Sequence, residues 1–484
     1  MNKRLVLKLL GGLTALEGLF MLPAVLVALL YGEDCIAFLY TMGITLVLGV
    51  PIWMCVDPGA KNLNAKDGLA VAGISWILMS FFGCLPFVFS GEIPSLIDAY
   101  FETVSGFTTT GASILTDVEC MSRSILLWRS FTHWIGGMGV LVLTLALLPK
   151  VTGRTSHLAR AESPGPVFSK LAPKMGDTAK ILYLIYAVLT VLELICLLIA
   201  GMEPYDAVIH TFSTAGTGGF SCRNYSLGAY GPAVQWVTAV FMMLFGVNFA
   251  VYFHLLRREF GAVGKSEELW VYLGIVLVST LAITVNILPM YGNDFGTAVR
   301  LAYFQVNTIT STTGFNTADF NVWPQFSRLL LVMLMVFGAC GGSTAGGLKV
   351  SRLVMLFKAA VREVRHMISP RKVAVVRMEG KTVKEETLSS LGIYFFVYCL
   401  LLIVGSVIVS LDPIEGNNLT TSVTTTLTCM ANVGPGMGSV VGPWGNFSGF
   451  QPITKIVLSL YMLAGRLEFY PMLVLISPAL WRKN

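Results

Sequence analysis

Charge is what this chain has least of: Asp, Glu, Lys and Arg make up only 12% of its 484 residues, and histidine occurs five times. So small a polar complement cannot cover the surface of a water-soluble globule. The chain contains no HExxH, no paired-histidine spacing and no convincing nucleophile and base set, which excludes the familiar intramembrane enzymes, and no organic cofactor is expected on it. Nucleic-acid motifs are also lacking. The net charge of +6 therefore reads as membrane topology, with some attraction to anionic lipid. Nine cysteines (35, 55, 84, 120, 196, 222, 340, 399, 429) show neither CxxC nor a Cys/His metal spacing. Most lie in apolar stretches, where a thiol behaves as a small hydrophobe.

What the chain has in abundance is apolar length. Hydrophobic residues make up 55% of it and mean hydropathy is +0.73. A hydrocarbon core roughly 30 Å thick takes about 20 helical residues to cross. Runs of that length are expected near 5–31, 36–56, 68–91, 124–148, 180–201, 232–256, 268–289, 326–348, 388–411 and 453–479, ten crossings of an all-α membrane protein. Lys3, Arg4 and Lys8 put the N-terminus in the cytoplasm by the positive-inside rule, and ten crossings return Arg482 and Lys483 to that side. Only Arg123, Arg129, Arg223, Arg300, Arg328 and Lys455 then fall outside, and Arg466 falls within the membrane. The first apolar run contains Glu17 and is too long for a signal h-region, so it reads as a retained anchor.

Four times an apolar run is followed by a shorter helical stretch, a Thr/Gly-rich turn and another apolar run. The turns are Phe107–Ser113, Thr214–Phe220, Ser311–Asn316 and Ala431–Gly436, and the stretches before them are Ile97–Phe107, Asp206–Ser213, Ala298–Thr310 and Leu419–Cys429. Taking Gly111, Gly218, Gly314 and Gly434 as equivalent spaces the units 107, 96 and 120 residues apart, an internal repeat. The expected architecture is four pseudo-symmetric units of helix, pore helix, filter and helix around one central pore, at 58–160, 161–258, 259–370 and 371–484, after an N-terminal helix pair at 1–57. Non-helical backbone at membrane depth is tolerated only where protein buries it or water lines it, so four such interruptions argue for a shared aqueous cavity. The carbonyl end of each short helix would face its turn and favour a cation there.

Rings of main-chain oxygens can replace the waters of a dehydrated cation without adding fixed charge. Thr109, Thr110 and Gly111; Gly216, Thr217 and Gly218; Thr312, Thr313 and Gly314; and Asn432, Val433 and Gly434 are the candidate donors. In the second set Gly216, Gly218 and Gly219 all compete for the register. A further glycine cluster, Gly338–Gly347, with Gly341, Gly342, Ser343, Thr344, Gly346 and Gly347 at its centre, would interrupt the eighth crossing and could act as a gate. A fixed kink for close packing is the alternative. Arg466 would be either an electrostatic barrier in a cation path or part of a network with Glu468 or nearby carbonyls. Asp98, Glu102, Asp206, Asp294, Asp319 and Glu415 would either gather cations at an outer mouth or be ordinary exposed acids. His133, among Gly136, Gly137 and Gly139, reads as helix packing rather than proton transfer. The basic loops 149–179 and 349–387 are either solvated or a docking surface for a cytoplasmic regulator, and Arg371–Lys384 alternates as a short hairpin would.

At these residues the chain resembles the TrkH/TrkG/KtrB family of microbial potassium uptake proteins, closest to the TrkH branch. The similar motifs are Thr109-Thr110-Gly111-Ala112, Gly218-Gly219-Phe220-Ser221, Thr313-Gly314-Phe315-Asn316, Asn432-Val433-Gly434-Pro435-Gly436, the Gly338–Gly347 cluster and Gly465-Arg466-Leu467-Glu468. The resemblance implies K⁺ as the transported ion, a homodimer in the cytoplasmic membrane of a prokaryote, and a cytoplasmic TrkA-type nucleotide-binding ring as partner. It also implies a gate made of the Gly338–Gly347 cluster and Arg466. Na⁺- or H⁺-coupled potassium symport is the alternative.

Overall fold

The computed structural model describes residues 2–57, 64–139, 175–371 and 374–478. It is helical apart from one two-stranded hairpin among the described residues. The long helices show an apolar exterior, with Ile199 81%, Val278 66% and Phe396 66% exposed, while threonines and serines are buried. That inversion of a soluble protein is what a hydrocarbon solvent selects. The expected all-α membrane fold is present in this sense.

Among the described residues, six helices are long and apolar enough to cross a membrane: Lys3–Tyr31, Ile36–Cys55, Lys66–Phe89, Asp177–Ile199, Glu267–Tyr291 and Glu385–Ser410. The first is hinged at Met21, with Pro23 just beyond it, and closes on left-handed Gly32. It packs on Ile36–Cys55 through small residues: a β-carbon added at Gly49 would lie 2.6 Å from the Ala15 nitrogen, and one at Gly18 would lie 2.4 Å from Thr45 Oγ1.

The other four expected crossings are not continuous helices. Arg123–Gly137 stops at Met138. Pro232–Phe245 and Phe249–Leu256 meet at a 90° bend over Gly246-Val247-Asn248. Gln325–Val336 gives way to the non-helical stretch 337–349 before Val350–Ile368 begins. Pro452–Arg466 ends at Leu467, and Glu468 and Phe469 have positive φ (56° and 64°) before Tyr470–Ile476 resumes. Hydropathy measures the length of an apolar run and not its path, which is why three of these four were expected as straight spans, while the break in 326–348 was expected from the Gly338–Gly347 cluster. Most of loop 149–179 and the far end of run 124–148 lie outside the described residues.

Each of the four short helices is present and slightly longer than expected: Leu96–Phe107, Pro204–Ala215, Phe295–Thr310 and Leu419–Ala431. Their starts are fixed locally. Ser95, Asp294 and Asn418 accept from first-turn backbone N–H groups, and Pro204 occupies the first turn of the second helix, where no N–H is needed. The hairpin pairs Arg377 with Thr382 and Met378 with Lys381 across Glu379 and Gly380, both at positive φ. Its Val376 and Met378 bury against Met355, Leu388 and Leu391.

Candidate ion-binding site

The four short helices end in one backbone motif. Thr110, Gly218, Thr313 and Val433 each donate a backbone N–H to the carbonyl five residues earlier, at Ser105, Ser213, Thr308 and Thr428, at 2.8 to 3.0 Å. The residue before each donor is left-handed: Thr109 (54°), Thr217 (54°), Thr312 (56°) and Asn432 (56°). The glycine after it is left-handed too: Gly111 (79°), Gly219 (80°), Gly314 (88°) and Gly434 (104°). The bonding and the dihedrals together decide the second register: the counterpart of Gly111 is Gly219, so equating Gly218 with Gly111 ran one residue early. Gly216 sits at the helix C-cap, outside the matching triplet Thr217-Gly218-Gly219.

The four turns also meet one another in cyclic order. A β-carbon on Gly111 would lie 2.1 Å from the Gly218 oxygen, one on Gly219 2.1 Å from the Thr313 oxygen, and one on Gly314 2.1 Å from the Val433 oxygen. One on Gly434 would lie 2.7 Å from the Thr110 oxygen, which closes the ring. Each glycine is therefore required twice, by its dihedral and by a carbonyl of the next turn. The side chains of Thr109, Thr217, Thr312 and Asn432 are wholly buried.

Buried polar groups hold the turns from behind. Glu102 accepts from Arg129 Nε (2.6 Å), Ser113 Oγ (2.9 Å) and the Ile114 N–H (2.9 Å), while Arg129 Nη1 donates to the Ser221 carbonyl (3.2 Å) and its guanidinium lies over Phe220. Asp206 accepts from Arg223 (2.9 Å) and Tyr230 (2.6 Å), and Asp98 pairs with Lys455 (2.6 Å). These three acids are thus neither free nor simply exposed. Asp294 and Asp319 cap helix starts, and Glu415 is exposed. Sequence reasoning missed these pairs because no spacing rule joins Glu102 to Arg129 or Asp98 to Lys455. His133 packs on Phe220 with ring centres 4.1 Å apart and places Nδ1 2.7 Å from the Gly106 oxygen, in keeping with packing.

The stretch 337–349 lies directly against this ring. Its Gly346 N–H donates to Thr312 Oγ1 at 2.7 Å, and a β-carbon on Gly346 would strike Asn432 Cβ at 2.9 Å. Gly342 and Gly347 are left-handed (74° and 68°). Arg466 donates to the carbonyls of Thr344 (2.7 Å), Gly136 (2.6 Å) and Gly137 (2.6 Å), joining the stretch to the ends of two interrupted helices. Glu468 pairs instead with Arg352, and Lys349 donates to the oxygens of Ala345 and Gly346. Beneath lies a cavity of about 420 Å³ lined by Gly341, Gly342, Ser343, Gly347, Lys349 and Arg466 among others; Thr344 is turned into the protein. Sequence reasoning overlooked Glu268, whose Oε1 accepts from the N–H groups of Gly341 (2.7 Å) and Ser351 (2.9 Å).

Residues 37–265 and 268–483 match the family model of TrkH, described as cation transport protein. The chain belongs to the TrkH family. The family is one of transporters and not of enzymes. Across its whole length the chain is 34% identical to the Trk system potassium uptake protein TrkH of Escherichia coli K12, with 100% of each covered, and 32% identical to TrkG of the same strain, with 99% of each covered. The crystal structure of the potassium transporter TrkH from Vibrio parahaemolyticus superposes with a TM-score of 0.88 at 30% identity, covering 100% of both chains. A multi-pass membrane protein of the Trk potassium transport systems follows for this TrkH-family chain.

Proposed function

We propose that the chain takes up K⁺ through a filter built by the four turns. The units at 58–160, 161–258, 259–370 and 371–484 stand as quasi-equivalent walls around one pore, after the helix pair at 1–57. The oxygens of Thr109-Thr110-Gly111, Thr217-Gly218-Gly219, Thr312-Thr313-Gly314 and Asn432-Val433-Gly434 replace the water shell of the ion. The observation that carries this reading is the closed cycle of glycine-to-carbonyl approaches, since four turns of one handedness meeting head to tail leave their main-chain oxygens around a common axis. The inside-negative potential drives entry, contributing about 2.3 kcal/mol per charge per 100 mV.

The stretch 337–349 is the gate in this proposal, and Arg466 its electrostatic latch: the guanidinium holds three carbonyls that would otherwise be open to a passing cation. N- and C-termini face the cytoplasm, where a TrkA-type nucleotide-binding ring acts on the gate of a homodimer. The relatives named as Trk system potassium uptake proteins support the substrate and imply a multi-subunit system. The test is flux of K⁺ against Na⁺ into liposomes holding the purified protein: faster K⁺ entry is expected, and equal rates for both ions would sink the filter reading. The second reading, Na⁺- or H⁺-coupled symport, needs another ion site, and Asp98, Glu102 and Asp206 are all occupied by cationic partners.

A further inference from the structure

Glu268 stands at the start of helix Glu267–Ile287, far in sequence from the stretch 337–349, yet it touches that stretch at Gly341 and the helix that follows it at Ser351. One carboxylate oxygen accepts the Gly341 N–H at 2.7 Å and the Ser351 N–H at 2.9 Å, and the residue is 6% exposed. The two donors bracket residues 342–350, so a single acceptor closes a loop across its base. Around this point the entry side is tied further, by the Cys340 N–H to the Gly246 oxygen (3.1 Å) and the Phe249 N–H to the Gly342 oxygen (3.0 Å). On the exit side, Val350 N–H reaches the Ala339 oxygen at 3.1 Å. The far part of the stretch, residues 344–346, is held by side chains instead: Thr312 of the ring and Arg466 from outside the stretch, and Lys349 from within it. The near ends and the far tip are thus fastened separately.

We propose that Glu268 is the base anchor of the interrupting stretch, a positioning residue that sets how readily residues 342–350 leave their place against the ring. A carboxylate suits the task because charge-assisted bonds to backbone N–H groups are about twice as strong as neutral ones, which offsets burial of the charge. It also explains an otherwise expensive choice: an alanine here would take the acceptor from the buried Ser351 N–H and the half-buried Gly341 N–H. The functional consequence rests on the gate reading above; the anchoring itself does not.

The test is Glu268→Ala, with position and flux read separately. In a Ser343→Cys background, the rate of modification by a charged thiol reagent, less that of the parent chain lacking Ser343→Cys, reports exposure of the stretch. Basal K⁺ flux in liposomes reports conduction. Loss of the anchor is expected to raise labelling about tenfold and flux with it. Faster labelling with unchanged flux would uphold the anchor and count against the gate. Unchanged labelling in a variant that elutes and melts like the parent overturns the anchor, whatever the flux does. Should Glu268→Ala not assemble, Glu268→Gln keeps a neutral acceptor of the same size: labelling above the parent rate supports the anchor, and the parent rate overturns it.

Discussion

Gly314 shows how little freedom single residues have in the ring. Its φ of 88° is costly for any residue with a β-carbon, and that atom would lie 2.1 Å from the Val433 oxygen. Gly314→Ser must therefore shift a neighbouring carbonyl, and K⁺ over Na⁺ discrimination in liposome flux is expected to fall roughly tenfold. Gly231 has φ of −66° and open space around it, so Gly231→Ala is expected to leave the ion ratio untouched. Equal behaviour of the two variants would mean that the turn glycines serve only helix packing. The glycines were legible as residues, because four recurrences of one pattern are hard to obtain from packing alone. Register was not legible in Gly216-Thr217-Gly218-Gly219: a run with three glycines satisfies several alignments in sequence, and the Gly218 to Ser213 hydrogen bond together with the positive φ of Thr217 and Gly219 selects one.

Among the elements, the broken helices carry the conditional parts. Arg466 ends Pro452–Arg466 and spends its donors on the carbonyls of Thr344, Gly136 and Gly137. If it latches the 337–349 stretch, Arg466→Ala raises basal K⁺ flux, about tenfold on the scale of one lost charge-assisted hydrogen bond. Flux that drops or stays level would make Arg466 a structural tie only. The turn between Leu96–Phe107 and Arg123–Gly137 depends in turn on the buried Glu102–Arg129 pair, 1% and 3% exposed. Glu102→Leu would strand a buried guanidinium, and a loss of about 3–5 kcal/mol is expected as a lowered melting temperature in detergent. A variant that also carries Arg129→Met should recover much of that loss, since removing both charges leaves neither unpaired. The Gly338–Gly347 interruption was legible because its glycines announce it; the 90° bend at Gly246-Val247-Asn248 was not, because a single glycine beside Val247 looks like ordinary helix.

On the scale of the whole molecule, the proposal is a passive path along the membrane potential. The reversal potential for K⁺ current is then expected to follow the K⁺ gradient alone, by about 59 mV per tenfold ratio of a univalent ion, and to ignore an imposed Na⁺ or proton gradient. A shift with either gradient would favour coupled symport. The arrangement of acids bears on the same question, since Asp98, Glu102 and Asp206 meet Lys455, Arg129 and Arg223 in space and so are spoken for.

The sequence by itself determined the class of solvent, the short helices and the places where backbone must turn without a side chain, because hydropathy, helix caps and glycine act over a few neighbouring residues. The tertiary structure alone decided which carbonyl each glycine faces, which acids are neutralised, where three of the four interrupted helices break, and that Glu268 reaches across to Gly341 and Ser351. Those outcomes depend on groups that lie tens to hundreds of positions apart in the chain. Only folding brings them within hydrogen-bond distance, where burial makes each donor and acceptor find a partner.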